Sequence, residues 1–443
     1  MFLTHALPSW IVLVTLSTLF PHDVCAHGGF PTALGVSRVG GVTSGALVVY
    51  TNFGVLVDHD GLRLVCEEQY GGSGQPVVVL PTDDVFIAGH FKGIARSEDA
   101  GCTLESAPVA GNGLFVREFA QTLSGELYLV TSTGGGTNGV YVSDDIGKSW
   151  RLFGPGSKDL FFTGIRVLNG EGDLATVGID GDSFFLSYYF AADNKWESIA
   201  LPQFSTDSGF GGQPVLLDCS STSLHCLVAG TDDNARRIVE VGGDGNTKVV
   251  FDQPTAISVI AGYSPAGEMF VGDGVQLLRS SDQRTWTPIF GIDSPTCISR
   301  LGEEFFVCSN PYLPDSFLVT KSTDNGGTWS VTIHRFDEIV SLQKCSADSQ
   351  LSVNCAAPWT QLASDFGIEE IPDAGSPSEG DVQPTDTSKS EVEDSPSAPP
   401  KTNPGESGCV THSPMMPIGG VGGLVILACV MTWVRGGRRV RKV

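Results

Sequence analysis

The chain has 443 residues, a formal charge of -24 and 41% hydrophobic residues. It can fill a core, but it lacks the basic face that phosphate binding needs, so nucleic acid is excluded as a partner. The 55 glycines and 24 phenylalanines, with little Lys, Glu or Ala, speak against long helices and for many short strands joined by tight turns.

At the N-terminus an apolar run from Trp10 to Phe20 precedes Val24-Cys25-Ala26, with compact residues where a signal peptidase reads. We read residues 1–26 as a cleaved export signal, the alternative being an uncleaved anchor.

After His27 the text repeats itself. SEDAGCTL at Ser97–Leu104, SDDIGKSW at Ser143–Trp150 and STDNGGTW at Ser322–Trp329 keep Ser, Asp and Gly at fixed offsets, ahead of a hydroxyl residue and an apolar one. SSDQRTW, with Asp282 and Trp286, is one residue shorter. With each Asp as a ruler, marks fall at Asp60, Asp99, Asp145, Asp193, Asp244, Asp282, Asp324 and Asp365, roughly 40 to 50 residues apart. Between marks lie short alternating runs such as FVREFAQ, ELYLVTS, GVYVSDD and SWRLFG, four strands to a unit. Sheets repeated at this period pack radially, so residues 27–370 are expected to form an all-β β-propeller of four-stranded blades. Eight marks predict eight blades. Seven is the alternative, if the degenerate first and last units pool strands to close the ring.

Eight cysteines fall within this region: Cys66, Cys102, Cys219, Cys226, Cys297, Cys308, Cys345 and Cys355. An even set in an exported chain implies disulfides. Cys219 with Cys226, Cys297 with Cys308 and Cys345 with Cys355 each bracket a turn, and are expected to tie first and second strands of their units. Cys66 and Cys102 remain to bridge neighbouring blades. No zinc-ligand spacing occurs, Asp58–Gly61 and Asp144-Asp145 do not continue into a calcium loop, and His90 and His334 are isolated, so no metal or cofactor is expected.

Residues 371–408 are rich in Pro, Ser and acidic residues and poor in bulky apolars, the composition of a disordered stalk. Residues 409–443 hold Cys409, an apolar segment Ile418–Val434 at the short limit for spanning a bilayer, and a basic tail of Arg435, Arg438, Arg439, Arg441 and Lys442. Gly408-Cys409, the glycine-containing apolar segment and the terminal arginines together resemble the C-terminal sorting signals of myxobacterial surface proteins, the MYXO-CTERM type. That resemblance implies processing at Cys409; the alternative is a single-pass anchor. The chain also has no Asn-x-Ser/Thr sequon, which favours a bacterial source.

The repeated octet resembles the Asp-box, or BNR repeat, of sialidases, sortilin-type receptors and photosystem assembly factors. The resemblance implies a turn between third and fourth strands, on the rim and away from the active face. Ser97, Asp99, Gly101, Ser143, Asp145, Gly147, Trp150, Asp282, Trp286, Ser322, Asp324, Gly326 and Trp329 then have structural roles. Gly permits positive φ, Asp and the hydroxyls hold turn amides, and Trp packs into the blade.

A sialidase likeness further implies three arginines converging on a carboxylate, a Tyr nucleophile with Glu, and an Asp acid. Arg38, Arg117, Arg166 and Arg300 lie on the first strands of their units, where they line a central channel and could bind an anion. Equally, each could pair with an acid of a neighbouring blade. Arg38 is followed by Val39-Gly40, not by the Ile-Pro of the sialidase motif. Tyr50, Tyr128 and Tyr141 sit in alternating strands that use aromatics for packing. The expected function is therefore a monomeric, surface-anchored, non-catalytic propeller that binds a protein or glycan, held at the membrane by its C-terminal segment. A sialidase-like glycoside hydrolase and an extracytoplasmic assembly factor are the alternatives.

Overall fold

Alternating short strands fold into seven sheets of consecutive antiparallel strands, at residues 33–66, 77–107, 116–157, 160–200, 215–253, 260–293 and 297–333, which we number blades 1 to 7. The computed structural model describes residues 31–368 apart from short internal stretches. The expected signal (1–26), the stalk (371–408), Cys409 and the segment Ile418–Val434 lie outside the described residues. Within each blade the strands run in sequence order from first to fourth. From blade 2 to blade 7 and on to blade 1 the first strands contact one another, and Gly40 N donates to Leu80 O between blades 1 and 2, so the first strands wall the central channel and the fourth strands form the rim.

A radial arrangement buries both faces of every blade, and the sequence follows this. All five residues of Leu127–Thr131 and all six of Asn138–Ser143 are buried, whereas Arg151–Ser157 on the rim has no buried residue. Separate apolar clusters occupy the interfaces. Ile87, Val116, Tyr141 and Trp150 join blades 2 and 3; Tyr128, Phe162 and Tyr189 join blades 3 and 4; Phe270, Phe305 and Phe317 join blades 6 and 7. Each fully buried side chain of this size contributes about 1.5–3 kcal/mol, so blades hold as neighbours what none could hold alone.

The ring closes between blades 1 and 7. Thr296 Oγ1 donates to Ala33 O at 2.7 Å, and Ser299 Oγ accepts from Val36 N at 3.3 Å. No strand is exchanged there, since each blade is one continuous stretch of chain. A strand from Ile339 to Leu342 instead joins the rim of blade 1 in parallel, opposing Leu62 to Leu64 of the fourth strand.

The count is thus seven, the alternative, and the eighth unit is a clasp. Its mark, Asp365, lies near the end of a helix, α1 (Gln350–Phe366). Ser349 caps α1 by accepting from Ser352 N, and Gly367 ends it at φ +68°. Leu351, Cys355, Trp359, Leu362 and Ala363 are buried, a 3- and 4-residue spacing that lays one face on blade 1. One four-residue strand before a capped helix cannot supply a four-stranded sheet.

The disulfides divide in the same way. Cys219–Cys226 and Cys297–Cys308 join first and second strands as expected. Cys345 does not pair with Cys355, nor Cys66 with Cys102. The bonds are Cys66–Cys355 and Cys102–Cys345. Helical periodicity turns Cys355 inward onto the end of blade 1's fourth strand, while Cys345, ahead of the helix, reaches the third turn of blade 2. Four disulfides are those of an exported chain.

Candidate functional site

The seven remaining marks, Asp60 to Asp324, all fall in the turn between third and fourth strands of their blades. In blade 7, Ser322 Oγ accepts from Gly326 N at 2.7 Å and donates to Asp324 Oδ1 at 2.8 Å. Asp324 in turn accepts from Thr328 N at 2.8 Å and Thr328 Oγ1 at 2.7 Å. Blade 3 repeats the pattern through Ser143, Asp145, Gly147 and Ser149, and Trp150 Nε1 donates to Gly147 O at 3.2 Å. In blade 2 Ser97 accepts from Gly101 N at 2.9 Å and Asp99 from Thr103 N at 2.8 Å. The shorter turn of blade 6 moves the Ser280 bond to Gln283 N, and Asp282 takes the amides of Arg284 and Thr285.

These bonds use up the carboxylates. The Thr328 amide, then the Thr328 and Ser322 hydroxyls, hold Asp324 down at about 2. The amides of Thr285 and Arg284 hold Asp282 well below the usual carboxylate range. At Asp99 and Asp145 partial burial opposes ionisation, but bonds from Ser97 and Thr103, and from Ser149 and Ser143, outweigh it and lower both.

Four of the turns also grip the preceding blade. Gln69 beside blade 1 donates to Gly101 O at 2.9 Å, and Arg96 of blade 2 to Ile146 O at 2.9 Å. Gln283 donates to Glu240 of blade 5 at 2.7 Å, and Asn325 accepts from Ala266 N of blade 6 at 2.9 Å. The tryptophans follow the same rule: Trp286 meets Phe251 of blade 5, and Trp329 meets Phe270 of blade 6. Gly326, at φ +80°, is where a Cβ would meet Phe270 Cζ at 2.5 Å.

On the channel wall, three of the four predicted arginines are tied to other blades. Arg38 Nη2 donates to Glu304 Oε2 of blade 7 at 2.6 Å, and its Nη1 to Gly45 O at 2.8 Å. Arg166 pairs with Glu118 Oε1 of blade 3 and reaches Leu216 O of blade 5 at 3.2 Å. The other Glu118 oxygen accepts from Ile165 N at 2.9 Å. Arg300 crosses in front of blade 6 to Cys219 O of blade 5 at 3.0 Å. Gly262 of blade 6 lets Ile298 of blade 7 approach closely: a Cβ there would meet Ile298 Cγ2 at 2.6 Å.

Asp218 of blade 5 sits between Arg166 and Arg300 and accepts from Tyr263 N and Cys219 N, both at 2.8 Å. Burial raises its carboxyl in spite of Arg300, the two amides and Arg166. At Arg166 burial opposes the charge, and the Glu118 pair more than restores it. A polar seam thus runs Glu118, Arg166, Asp218, Arg300 across blades 3, 4, 5 and 7.

Arg117 differs. Burial lowers its pKa, Glu118 working the other way, and the guanidinium lies 5.2 Å from the centre of the Phe115 ring. The acids Glu118, Asp218 and Glu304 were not singled out from the sequence. Asp218 in VLLDC nonetheless occupies the first-strand place that Arg166 holds in GIRVL and Arg300 in ISRL.

A Tyr–Glu pair exists as well. The hydroxyl of Tyr263 donates to Glu240 Oε1 at 2.6 Å, but the residue is 4% exposed inside the interface of blades 5 and 6. Burial, then Glu240, pushes the phenol well above its usual range. Tyr50, Tyr128 and Tyr141 lie in second and third strands, with Tyr50 bonded to Ser37 at 2.6 Å. Outside the channel, a cavity of about 710 Å³ lies between the blade 2 turn and the start of α1, lined by Asp84, Asp99, Lys344 and Asp348 among others. Among the described residues no cluster of His, Cys, Asp or Glu is arranged to hold a metal ion, and no helix is long and apolar enough to cross a membrane.

No protein-family model and no curated protein matches the sequence. Solved structures with a similar backbone include the extracellular domain of BT4673 from B. thetaiotaomicron, at 15% identity and a TM-score of 0.45 over 66% of this chain. The chain spans only 38% of that protein's length. The GH74 xyloglucanase of Xanthomonas campestris is 14% identical, with a TM-score of 0.45 over 66% of this chain and 52% of its own. Hydrazine synthase of Kuenenia stuttgartiensis is 11% identical, with a TM-score of 0.47 over 68% of this chain and 98% of its own. These likenesses carry nothing about chemistry.

Proposed function

We propose that this exported propeller is a non-catalytic binding domain that takes a protein or glycan ligand at the channel end of the ring, and that it is anchored at the cell surface through its C-terminal segment. One observation carries the reading. Arg38, Arg166 and Arg300 are each bonded to an acceptor in another blade, so the groups that would have to meet a substrate carboxylate hold the ring together instead. The turn carboxylates are likewise bound within their own turns. What results is a braced frame carrying loops, the arrangement that positions a binding face.

A sialidase-like hydrolase is the second reading, because Tyr263 and Glu240 are hydrogen-bonded. Its difficulty is access, since a phenol sealed between two blades and pushed up by burial cannot attack an anomeric carbon. Screening the full chain against a fluorogenic sialoside and glycoside panel, beside a glycan array, tests the choice. Binding without turnover is expected. Turnover that disappears in Arg166→Ala while the protein stays folded would overturn the proposal.

A further inference from the structure

The first strands share an irregularity that singles out one side chain. In blades 1, 3, 4 and 5 the pairing of first with second strand skips a residue, and the skipped residues are Leu34, Arg117, Thr163 and Leu217. A bulge re-aims the residue it leaves unpaired. In three blades that residue is apolar or, at Thr163, bonded to Pro214 O at 2.5 Å. In blade 3 it is an arginine.

Among the described residues no acceptor meets any N–H group of Arg117, and its Nε is fully buried without a partner. The neighbouring acid is occupied, Glu118 being held by Arg166 and by the Ile165 amide. One face of the guanidinium lies over Phe115. A buried Nε without a partner is shared with Arg38, but Arg38 has Glu304 as counter-charge and among the described residues Arg117 has no carboxylate bonded to it, a costly state for a partly desolvated cation.

Resting on the binding function proposed above, we infer that Arg117 is the anion-recognising residue of the ligand site, and that the ligand is a largely neutral oligosaccharide bearing a uronic carboxylate. The two Nη groups, unlike Nε, are not sealed from solvent, and the terminal edge they form presents two N–H groups at the spacing of a carboxylate's two oxygens, so one carboxylate would take the donors that no protein acceptor meets. The shelf beside it suits a sugar. Residues 132–137 read STGGGT, and this loop is fastened to Phe115 through Ser132 N to Phe115 O at 2.9 Å and Phe115 N to Thr133 Oγ1 at 2.5 Å. Open space stands over Gly134 and Gly135, leaving hydroxyls and bare backbone to meet ring hydroxyls where a peptide side chain would need an apolar pocket. The formal charge of -24 repels polyanions, which limits the ligand to few carboxylates.

The test is calorimetric titration of the full chain and of Arg117→Gln with three probes: glucuronosyl-xylotriose, neutral xylotetraose, and N-acetyl-triglycine with its free C-terminal carboxylate. Wild type is expected to bind the acidic sugar and not the neutral one, and Arg117→Gln to weaken that binding about tenfold or more. Thermal melts should show Arg117→Gln as stable as wild type or more so, since no protein acceptor loses a partner, while Arg166→Gln melts lower. Equal affinity in wild type and Arg117→Gln, an Arg117-dependent preference for the peptide carboxylate, or no binding by any probe would overturn the inference. So would a loss of stability in Arg117→Gln matching that of Arg166→Gln. If xylotetraose binds as well as the acidic sugar, the glycan-binding function stands and the role of Arg117 falls.

Discussion

Opening the clasp should cost more than opening either hairpin bridge, and the cost should not be additive. On the loop-entropy account, Cys219–Cys226 and Cys297–Cys308 close loops of 7 and 11 residues, for about 2.4 and 2.8 kcal/mol. Cys66–Cys355 closes 289 residues and Cys102–Cys345 closes 243, each with a ceiling of about 5.5 kcal/mol if it acted alone. They do not act alone. With either bond in place, the segment left to close is roughly 36 residues from Cys66 to Cys102 with roughly 10 from Cys345 to Cys355, about 4 kcal/mol. Removing one clasp bond by a paired Cys→Ser change should therefore cost about 4 kcal/mol, and removing the second about 1.5 kcal/mol more than the first did. Guanidinium unfolding of the four paired variants, with protease resistance as a second probe, measures this. Additive losses from the two clasp bonds, or a Cys219–Cys226 variant as unstable as a Cys66–Cys355 variant, would refute the reasoning.

Arg166→Gln should lower stability by about 1–3 kcal/mol, less than the 3–5 of a fully buried pair because its side chain is 33% exposed and that of Glu118 28%; urea melts read it. Gly326→Ala combines a left-handed φ with a clash on Phe270 and should cost about 2–4 kcal/mol. Gly245→Ala, at φ +83° with open space around it, should cost about 1–2 kcal/mol by strain alone. Equal losses in the two glycine variants would mean that packing on the preceding blade is unimportant. Because the folded pKa of Asp324 is depressed to about 2, its contribution is complete above the unfolded value near 4 and is lost as the pH falls through the folded one. Acid melts should therefore steepen between about pH 4 and 2, and Asp324→Asn should flatten that limb.

The ring was legible because one turn recurs with its chemistry intact. A Ser, an Asp and a Gly at fixed offsets put two hydrogen-bond anchors and a left-handed Gly, preceded by a second left-handed residue, into every clear copy, and a ruler laid on the Asp found all seven turns. The same ruler failed at Asp365, where spacing alone supported the mark. The local text there, with Ser349 ahead of Leu351, Cys355, Trp359 and Leu362 and then Gly367, is that of a capped amphipathic helix. Pairing of Cys66 and Cys102 was beyond the sequence, since four half-cystines admit three connectivities and only the fold of α1 chooses. Placement of Arg38, Arg117, Arg166 and Arg300 on first strands could be read from the repeat. Their partners could not, because Glu118, Asp218 and Glu304 come together only through the curvature of the ring.

The clasp also sets the direction from which the molecule can be pulled. α1 begins against the third turn of blade 2, where Leu351 N donates to Cys102 O, and ends with Phe366 on Phe53 and Phe336 beside the second turn of blade 1. The last described residue, Ile368, therefore sits beside blade 1. Tension applied there would reach blade 1 through the Cys66–Cys355 bond before the parallel rim strand could peel, so the load would fall on one covalently riveted edge.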